Sequence, residues 1–433
     1  MFTRFTALLR RLLALPVLVV MGTALLVPNA TAFAADDAPD APGVPGFSPG
    51  AGLLWESDSD LSRDLDLMSS VGARWLRLDF DWASIEDQRG HYDWANLDRV
   101  VAAARSRGLQ ILALPSYSPV WARPVGTTSH YPPADPTAFA AFAGAAAARY
   151  AAVGVHAFEI WNEPNLSMFW SPRPDPSAYA RLLVAAAAAV HAADPSATVL
   201  SGGLAPATDA ADGSEIRPAT FLGALYAAGA GPSFDAVAVH PYSFPALPTD
   251  VSTASWNTFQ ALPRLHDLMA AHGDAGKRLW ATEVGAPTGN AAISVSEDLQ
   301  SRIVTSAVAA TRGWSWAGPV FLYSVRDSGA DPADPEQNFG LLRVDFRPKA
   351  AWSALQQLLS TTASSDVLVP TVADPLVAAT ARSVPPQVVA SVQQPAPAAS
   401  PKTAAVTVVP RAFIGPRWTP SKRRSRPLAL HQF

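Results

Sequence analysis

One repeated pattern in the middle of the chain limits what it can fold into. A short apolar segment is followed by a turn and then by a stretch with the apolar spacing of a helix, and this unit recurs between residues 51 and 360. The apolar segments are nonpolar on both faces, as parallel strands are when helices cover both sides of a sheet. Alternating strands and helices therefore predict an α/β fold built on a parallel sheet.

The number of these units favours a (β/α)8 barrel, the TIM barrel, in which eight parallel strands close into a ring. Lys349–Leu359 is expected to form the helix after the last strand. An open doubly wound sheet is the alternative, but it needs a glycine-rich phosphate loop after its first strand, and GLLWESDSD at 52–60 is not one. The predicted strands are, in order, Ala51–Trp55, Arg74–Leu78, Leu109–Leu114, Ala157–Trp161, Thr198–Ser201, Ala236–Val239, Leu279–Thr282 and Val320–Tyr323.

The N-terminal residues have the composition of a targeting signal. Arg4, Arg10 and Arg11 accompany an apolar run, and Ala32-Phe33-Ala34 follows it. This order predicts a cleaved signal peptide over residues 1–34. A retained membrane anchor is the alternative, although the run is shorter than the ~20 residues of a spanning helix. We expect an extracytoplasmic protein, secreted or held in the cell envelope.

Composition also divides the rest of the chain. Residues 35–50 are rich in proline, glycine and aspartate, and they are predicted to be a linker before the folded domain at 51–360. Residues 361–433 are basic, rich in proline and alanine, and lack an amphipathic period. Such a segment cannot bury a core, so we predict a disordered tail whose positive charge is available for contact with the cell envelope.

Charge and cysteine content narrow the chemistry and the partners. All 36 acidic residues lie within residues 36–374, so the body of the protein is acidic, which argues against nucleic acid as a ligand. The chain has no cysteine, which excludes thiol chemistry and cysteine metal sites. No cluster of histidine, aspartate and glutamate has the spacing of metal ligands, so we predict no catalytic metal and no cofactor. We expect a monomer.

Polar and aromatic residues follow most of the predicted strands. In a TIM barrel the C-terminal ends of all strands meet at one rim, where active sites lie. The residues expected at this rim are Trp55, Glu56, Arg77, Asp79, Trp82, Tyr117, Trp121, Asn162, Glu163, His240, Tyr242, Glu283, Tyr323, Arg326 and Asp327.

Two of these residues form a pair with a specific chemical use. Glu163 ends the fourth predicted strand and Glu283 the seventh. Hydrolysis of a glycosidic bond needs two carboxyl groups, one to protonate the leaving oxygen and one to attack the sugar or activate water. Arg77 on the second strand would hold one of them ionised. Tryptophan side chains would supply apolar platforms for sugar rings, and the candidates are Trp55, Trp82, Trp121, Trp170 and Trp316.

The motifs FEIWNEPN at 158–165 and LWATEVGAP at 279–287 resemble those of the glycoside hydrolases of clan A, closest to families 39 and 5. The resemblance covers about residues 51–360, and it includes bacterial enzymes that process exopolysaccharides. It implies a retaining hydrolase in which Glu163 is the acid/base and Glu283 the nucleophile. It further implies that Asn162 contacts the 2-hydroxyl of the substrate.

The resemblance extends to the second and sixth strands. Arg77 matches an arginine near the nucleophile, and His240 and Tyr242 match a histidine and a tyrosine of the site. We expect Trp121 and Tyr323 to contact the substrate as well. Two features depart from family 5: LPSYSPVW at 114–121 lacks a histidine, and Tyr323 stands where a tryptophan is usual. Substrate identity and the family within the clan stay open.

These residues therefore predict an exported retaining glycoside hydrolase acting on a β-linked poly- or oligosaccharide. Each residue also has a simpler explanation: Glu163 a solvated loop carboxylate, Arg77 a structural ion pair, His240 a core histidine. One alternative function is a carbohydrate-binding barrel of the cell envelope without catalysis. Another is a surface-anchored structural protein in which the basic tail is the working part.

Overall fold

The computed structural model describes residues 39–365 of the chain. The predicted signal peptide and residues 366–433 of the predicted tail lie outside the described residues. Residues 361–365 belong to the last helix, so the folded domain extends slightly beyond its predicted end. No helix within 39–365 combines the length and the apolar character that crossing a membrane requires.

Eight parallel strands form a closed barrel in chain order, which confirms the predicted (β/α)8 fold. Each strand pairs with the next one along the chain, and the last pairs with the first. The strands are β1 (Pro45–Phe47), β2 (Trp75–Asp81), β3 (Gln110–Ser116), β4 (Ala157–Glu159), β5 (Thr198–Leu200), β6 (Ala236–Val239), β7 (Arg278–Val284) and β8 (Ala317–Leu322).

The helices surround this barrel, and polar side chains define where most of the long ones begin. An aspartate, asparagine or serine before a helix accepts a hydrogen bond from a backbone N–H of its first turn; Ser57, Asp135, Asp175, Asn257 and Ser296 do so. The helices are α1 (Asp58–Ser70), α2 (Trp82–Ile85), α3 (Ala95–Arg105), α4 (Pro136–Tyr150), α5 (Pro176–Ala193), α6 (Pro218–Ala227), α7 (Thr258–Ala271), α8 (Glu297–Arg312) and α9 (Ala350–Ser365).

The prediction of the first strand was wrong. Ala51–Trp55 forms a short 3-10 helix, and the strand is Pro45–Phe47, inside the predicted linker. Glycine at 46 is a packing requirement, because a Cβ there would lie 2.7 Å from the Cβ of Trp75 and 2.9 Å from the ring of Phe321. The proline and glycine that suggested a linker therefore belong to the barrel wall.

The barrel interior changes from apolar to charged along the strands. Near the N-terminal ends, Trp75 of β2 and Trp280 of β7 pack edge to face across the barrel, with ring centroids 5.2 Å apart. Two residues further along β2, Arg77 faces the same interior and contacts β4 and β7. The apolar layer closes one end of the barrel, and the buried polar side chains around Arg77 lie beyond it, toward the C-terminal ends of the strands.

Candidate active site

Arg77 is the centre of the polar layer. It is buried, and all five of its N–H groups have acceptors, which is the maximum for a guanidinium group. Nε and Nη2 donate to the two oxygens of Glu159 at 3.0 and 2.8 Å, and Nη2 also donates to Oδ1 of Asn162 at 2.8 Å. Nη1 donates to Oε1 of Glu283 at 2.6 Å and to the Ser48 hydroxyl at 3.3 Å. One side chain thus connects β1, β2, β4 and β7.

The charge of Arg77 is shared between two carboxylates. Burial alone would lower the pKa of Arg77, but the charges of Glu159 and Glu283 outweigh this effect and raise its pKa above the usual value. Arg77 therefore carries a positive charge throughout the pH range in which glutamate side chains titrate. Because two buried anions share one cation, the centre of the site is negative unless a carboxyl group is protonated.

His240 connects the two glutamates that end strands four and seven. The ring is fully buried, and its Nδ1 lies 2.7 Å from Oε1 of Glu163 and 3.6 Å from Oε2 of Glu283. Nε2 stands 3.5 Å from Nη2 of Arg77, which can only donate. Nδ1 can therefore donate to Glu163, and Nε2 lies beside Arg77 without taking up any of its five N–H groups.

The backbone at Glu163 adopts a conformation that non-glycine residues rarely take. Glu163 has φ +44° and Trp161 has φ +72°, both in the left-handed region. Surrounding hydrogen bonds hold the segment: Glu163 N–H donates to the Gly203 carbonyl at 3.1 Å, and Trp161 N–H donates to the Pro115 carbonyl at 3.0 Å. Backbone strain of this kind costs about 1–3 kcal/mol per residue and concentrates at functional sites.

Glu283 and Glu163 differ in their partners. Arg77 and the Tyr242 hydroxyl both donate to Glu283, the latter at 2.8 Å, whereas Glu163 contacts His240. Burial raises the pKa of Glu283, and the charge of Arg77 and the Tyr242 hydrogen bond offset only part of this effect. Burial also raises the pKa of Glu163; His240 opposes this, and the nearby charge of Glu283 adds to it.

Glu163, His240 and Glu283 each present one ligand-type atom, and these three atoms lie within 4.8 Å of one another. A metal ion would need the lone pairs that face inward. The His240 contact to Glu163 and the hydrogen bonds from Arg77 and Tyr242 to Glu283 already engage metal-ligating atoms of all three residues. Each of the three residues is therefore already held by a hydrogen bond or a close polar contact within the protein.

Gly203 leaves the space that this network occupies. A Cβ at residue 203 would lie 2.8 Å from Oε1 of Glu159 and closer still to Nε2 of His240. We therefore expect Gly203→Ala to displace the imidazole, to lower the free energy of unfolding by about 1–3 kcal/mol, and to impair any reaction at Glu163. Chemical denaturation and steady-state assays measure the two effects. Gly223→Ala, where a Cβ meets nothing within 4 Å, is the control and should be neutral or stabilising.

The loop after β8 brings one more carboxyl group to the rim. Tyr323 donates from its hydroxyl to Oε2 of Glu336 at 3.3 Å. Burial, together with the charge of Glu283, raises the pKa of Glu336 to about 8. Burial and neighbouring acids likewise raise the pKa of Asp79 to about 7, despite the opposing charge of Arg77. Tyr323 and Asp79 thus lie in the electrostatic environment of Glu283, as the strand ends predicted.

The predicted tryptophan platforms have different positions. Trp82 and Trp170 are buried in the core, which is incompatible with stacking on a ligand. Trp121 is half-buried, packs edge to face on Trp82, and donates from its indole nitrogen to the Glu86 carbonyl. Trp316 stacks on Trp314 just before β8, away from the rim. Trp55 is 61% exposed on the rim side, so it keeps a free aromatic face.

Two other residues expected at the rim have structural partners. Arg326 donates from Nε and Nη2 to Asp64, which is buried, and from Nη2 to Glu56 at 2.5 Å. Asp327 accepts from the buried ammonium group of Lys349 at 2.7 Å and from the Gly340 N–H. These pairs hold the loops after β1 and β8 and make no contact with Glu163 or Glu283 among the described residues.

Sequence reasoning missed Glu159, Ser48 and Gly203. Glu159 lies between Phe158 and Ile160 in an apolar strand, and a buried carboxylate needs a partner. Arg77 also lies within an apolar strand, so it could have been proposed as the partner of Glu159. Ser48 could not be found, because β1 was placed too late in the chain. Gly203 depends on a close approach in three dimensions, which a single sequence does not reveal.

The family model for cellulase, glycosyl hydrolase family 5, matches residues 35–318. No curated protein matches the chain in sequence.

Several solved structures share the fold. A family 39 glycoside hydrolase from Bacteroides cellulosilyticus WH2 is 24% identical, with a TM-score of 0.60 over 74% of this chain and 64% of that one. A monomeric β-xylosidase from Caulobacter crescentus CB15 is 20% identical, with a TM-score of 0.57 over 73% of this chain and 68% of that one. GH5_18 from Streptomyces cattleya, solved with GlcNAc, is 20% identical, with a TM-score of 0.59 over 74% of this chain and 80% of that one. The chain thus spans less than two thirds of the Bacteroides protein.

Proposed function

The chain belongs to the cellulase family, glycosyl hydrolase family 5, and on that premise we propose that it is a retaining glycosidase acting on a β-linked poly- or oligosaccharide. The observation that carries this proposal is the pairing of Glu163 and Glu283. They have carboxylate oxygens within 4.8 Å of each other and different hydrogen-bond partners. Retaining enzymes hold their carboxyl groups ~5–5.5 Å apart, whereas inverting enzymes need ~6.5–9.5 Å to fit a water molecule.

In the first step Glu283 is the nucleophile. Arg77 and Tyr242 stabilise it as an anion and fix its orientation. One carboxylate oxygen forms a bond to the anomeric carbon while the bond from that carbon to the leaving oxygen breaks. Glu163 gives its proton to the leaving oxygen, and a glycosyl-enzyme results. Asn162 has its Oδ1 engaged by Arg77, so its amide N–H groups are left to face a sugar hydroxyl.

In the second step Glu163 changes from acid to base. The charge of Glu283 raises the pKa of Glu163 in the free enzyme. That charge disappears when Glu283 becomes an ester, so the pKa of Glu163 falls and its carboxylate can take a proton from water. Water attacks the anomeric carbon from the side that the leaving group occupied while the bond from that carbon to Glu283 breaks, which frees the Glu283 carboxylate and gives net retention.

The β linkage and the place of action are parts of the proposal. The β-xylosidase with this fold and an exo-β-1,4-mannosidase from Opitutaceae bacterium strain TAV5, each 20% identical to this chain, act on β-linked sugars by name. We also propose that the protein works outside the cytoplasm, because Arg4, Arg10 and Arg11 and the apolar run with them resemble a signal peptide. The substrate would then be an extracellular or envelope glycan.

The test is turnover of a panel of β-linked oligosaccharides and aryl β-glycosides, with the anomer of the first-formed product identified by NMR. We expect the β anomer to appear first and to mutarotate later. First appearance of the α anomer would show that the enzyme inverts, and it would contradict the proposed retaining mechanism. Binding of glycans across the panel with no turnover would instead support a carbohydrate-binding barrel without catalysis.

A further inference from the structure

Glu159 is the most completely enclosed acidic residue of the site, and the steps above do not use it. Its side chain is fully buried in β4, and both oxygens are engaged. Oε2 accepts from Nε of Arg77, and Oε1 accepts from Nη2 of Arg77 and from the Gly203 N–H at 3.0 Å. We propose that Glu159 is a positioning residue that orients Arg77 and shares its positive charge, and that it thereby keeps Glu283 reactive as a nucleophile.

The first part of the proposal concerns direction. Two parallel hydrogen bonds from a guanidinium group to one carboxylate fix the plane of the guanidinium. The remaining N–H groups of Arg77 then point along fixed directions, one to Glu283 at 2.6 Å and one to Asn162 at 2.8 Å. Asn162 directly precedes Glu163. Glu159 therefore fixes, through one side chain, the relative positions of the strand ends that carry both reacting carboxyl groups.

The second part concerns charge. Glu159 and Glu283 both form ion pairs with Arg77, so each carboxylate weakens the electrostatic stabilisation that Arg77 gives to the other. The charge of Glu159 contributes to the raised pKa of Glu283. A carboxylate bound to an undivided cation would have a lower pKa and would be a weaker nucleophile. Because the charge of Arg77 is shared with Glu159, Glu283 is ionised but remains basic enough to attack the anomeric carbon.

Other ionisable groups also act on Glu159 and Glu283. A test must separate the effects of these groups from the effect of Glu159. Glu159 is also 3.9 Å from Nε2 of His240, and its charge acts on Tyr179. The ionisable groups that act on Glu283 come from four elements: Arg77 and Asp79 of β2, Glu159 and Glu163 of β4 and its loop, His240 and Tyr242 after β6, and Tyr323 and Glu336 after β8. Glu159 differs from the rest because it contacts both Arg77 and the Gly203 backbone.

The experiment compares the pH dependence of kcat/KM for wild type, Glu159→Gln and Glu159→Asp. It rests on the proposed function, because the acidic limb is assigned to Glu283. In Glu159→Gln the charge is lost, so we expect the acidic limb to move to lower pH by about one unit and kcat to fall about tenfold to a hundredfold. Glu159→Asp keeps the charge but is shorter, so kcat should fall while the limb stays in place.

The matched control is Asp64→Asn. Asp64 is also a buried carboxylate bound to two nitrogens of an arginine, but its partner Arg326 makes no contact with Glu283. We expect Asp64→Asn to lower the Tm and to leave the pH limbs and kcat per folded molecule unchanged.

The outcomes separate a positioning role from a structural one. Should Glu159→Gln lower the Tm but leave both limbs and kcat per folded molecule unchanged, Glu159 is only a buried ion pair and the inference is wrong. If Glu159→Gln does not fold, Glu159→Asp decides: an unchanged kcat per folded molecule contradicts the proposal. Failure of the proposed function is distinguishable, because in that case Glu283→Gln would keep its activity whatever Glu159 does.

Discussion

Glu283→Gln will fold and bind its substrate but will lose turnover by on the order of 10⁴-fold or more, because the amide cannot form the glycosyl-enzyme. The substitution is nearly isosteric. Its amide oxygen can accept from Arg77, and the hydroxyl of Tyr242 can rotate to accept from the new NH₂ group. Removing one anion from a site in which two share a single cation also relieves repulsion. We therefore expect the Tm to be unchanged or higher.

An added small anion shows whether the loss is that of a nucleophile. In Glu283→Ala, which leaves the space of the carboxylate empty, azide can attack the anomeric carbon of an activated aryl β-glycoside directly, expelling the aryl group and inverting that carbon. The expected product is the α-glycosyl azide. Glu86→Gln is the matched control, since Glu86 is also buried and hydrogen-bonded, to Trp82 and Gly90, but belongs to the loop after β2. It should lose stability and keep kcat. Wild-type turnover by Glu283→Gln would exclude Glu283 as the nucleophile.

Glu163→Gln will lose about 10²–10⁴-fold in kcat/KM on substrates whose leaving group needs a proton. With an activated aryl leaving group the first step needs little acid assistance, so the loss in that step should be small. The second step still lacks its base, and the glycosyl-enzyme should accumulate. Azide needs no base, so it should release the intermediate as the β-glycosyl azide, the opposite anomer to that expected from Glu283→Ala.

The pH dependence gives a second measurement of the same role. Glu163 must be protonated in the first step, and burial and the charge of Glu283 raise its pKa. The basic limb of kcat/KM should therefore lie above the ordinary pKa of a glutamate, about 4.3. Activity is lost as the pH rises through this limb, because the acid loses its proton. In Glu163→Gln the basic limb should disappear; a limb that persists unchanged would assign it to another group, with Glu336 the first candidate.

The barrel and its two glutamates could be predicted because they depend on local sequence. Parallel strands buried on both faces are apolar whatever their order in space, and Glu163 and Glu283 each stand where such a strand ends. The fold alone then brings these ends to one rim. This is why two motifs 120 residues apart were sufficient to indicate a single site.

The features that were missed depend on contacts between distant residues. Pro45–Phe47 has the composition of a linker, and only the packing of Trp75 and Phe321 against Gly46 explains a strand there. Trp82 and Trp170 follow strands as a platform residue would, but their surroundings place them in the core. The role proposed for Glu159 becomes visible only when the barrel brings side chains of β2 and β4, which are separated by β3, together at Arg77.

The saturation of Arg77 has a consequence for how such a barrel can change its substrate. The spacing of Asn162 and Glu283 is set by the covalent dimensions of one guanidinium group, which is supported from within the strands. The loops after the strands do not contribute to this support, except through Ser48 and Gly203. Exchange of the loop at 121–135, or of the part of the next long loop at 246–256 that lies beyond Tyr242, would therefore alter the shape of the cleft around an unchanged reaction centre. Substrate specificity could therefore be redesigned in these loop segments while the strand residues stay unchanged.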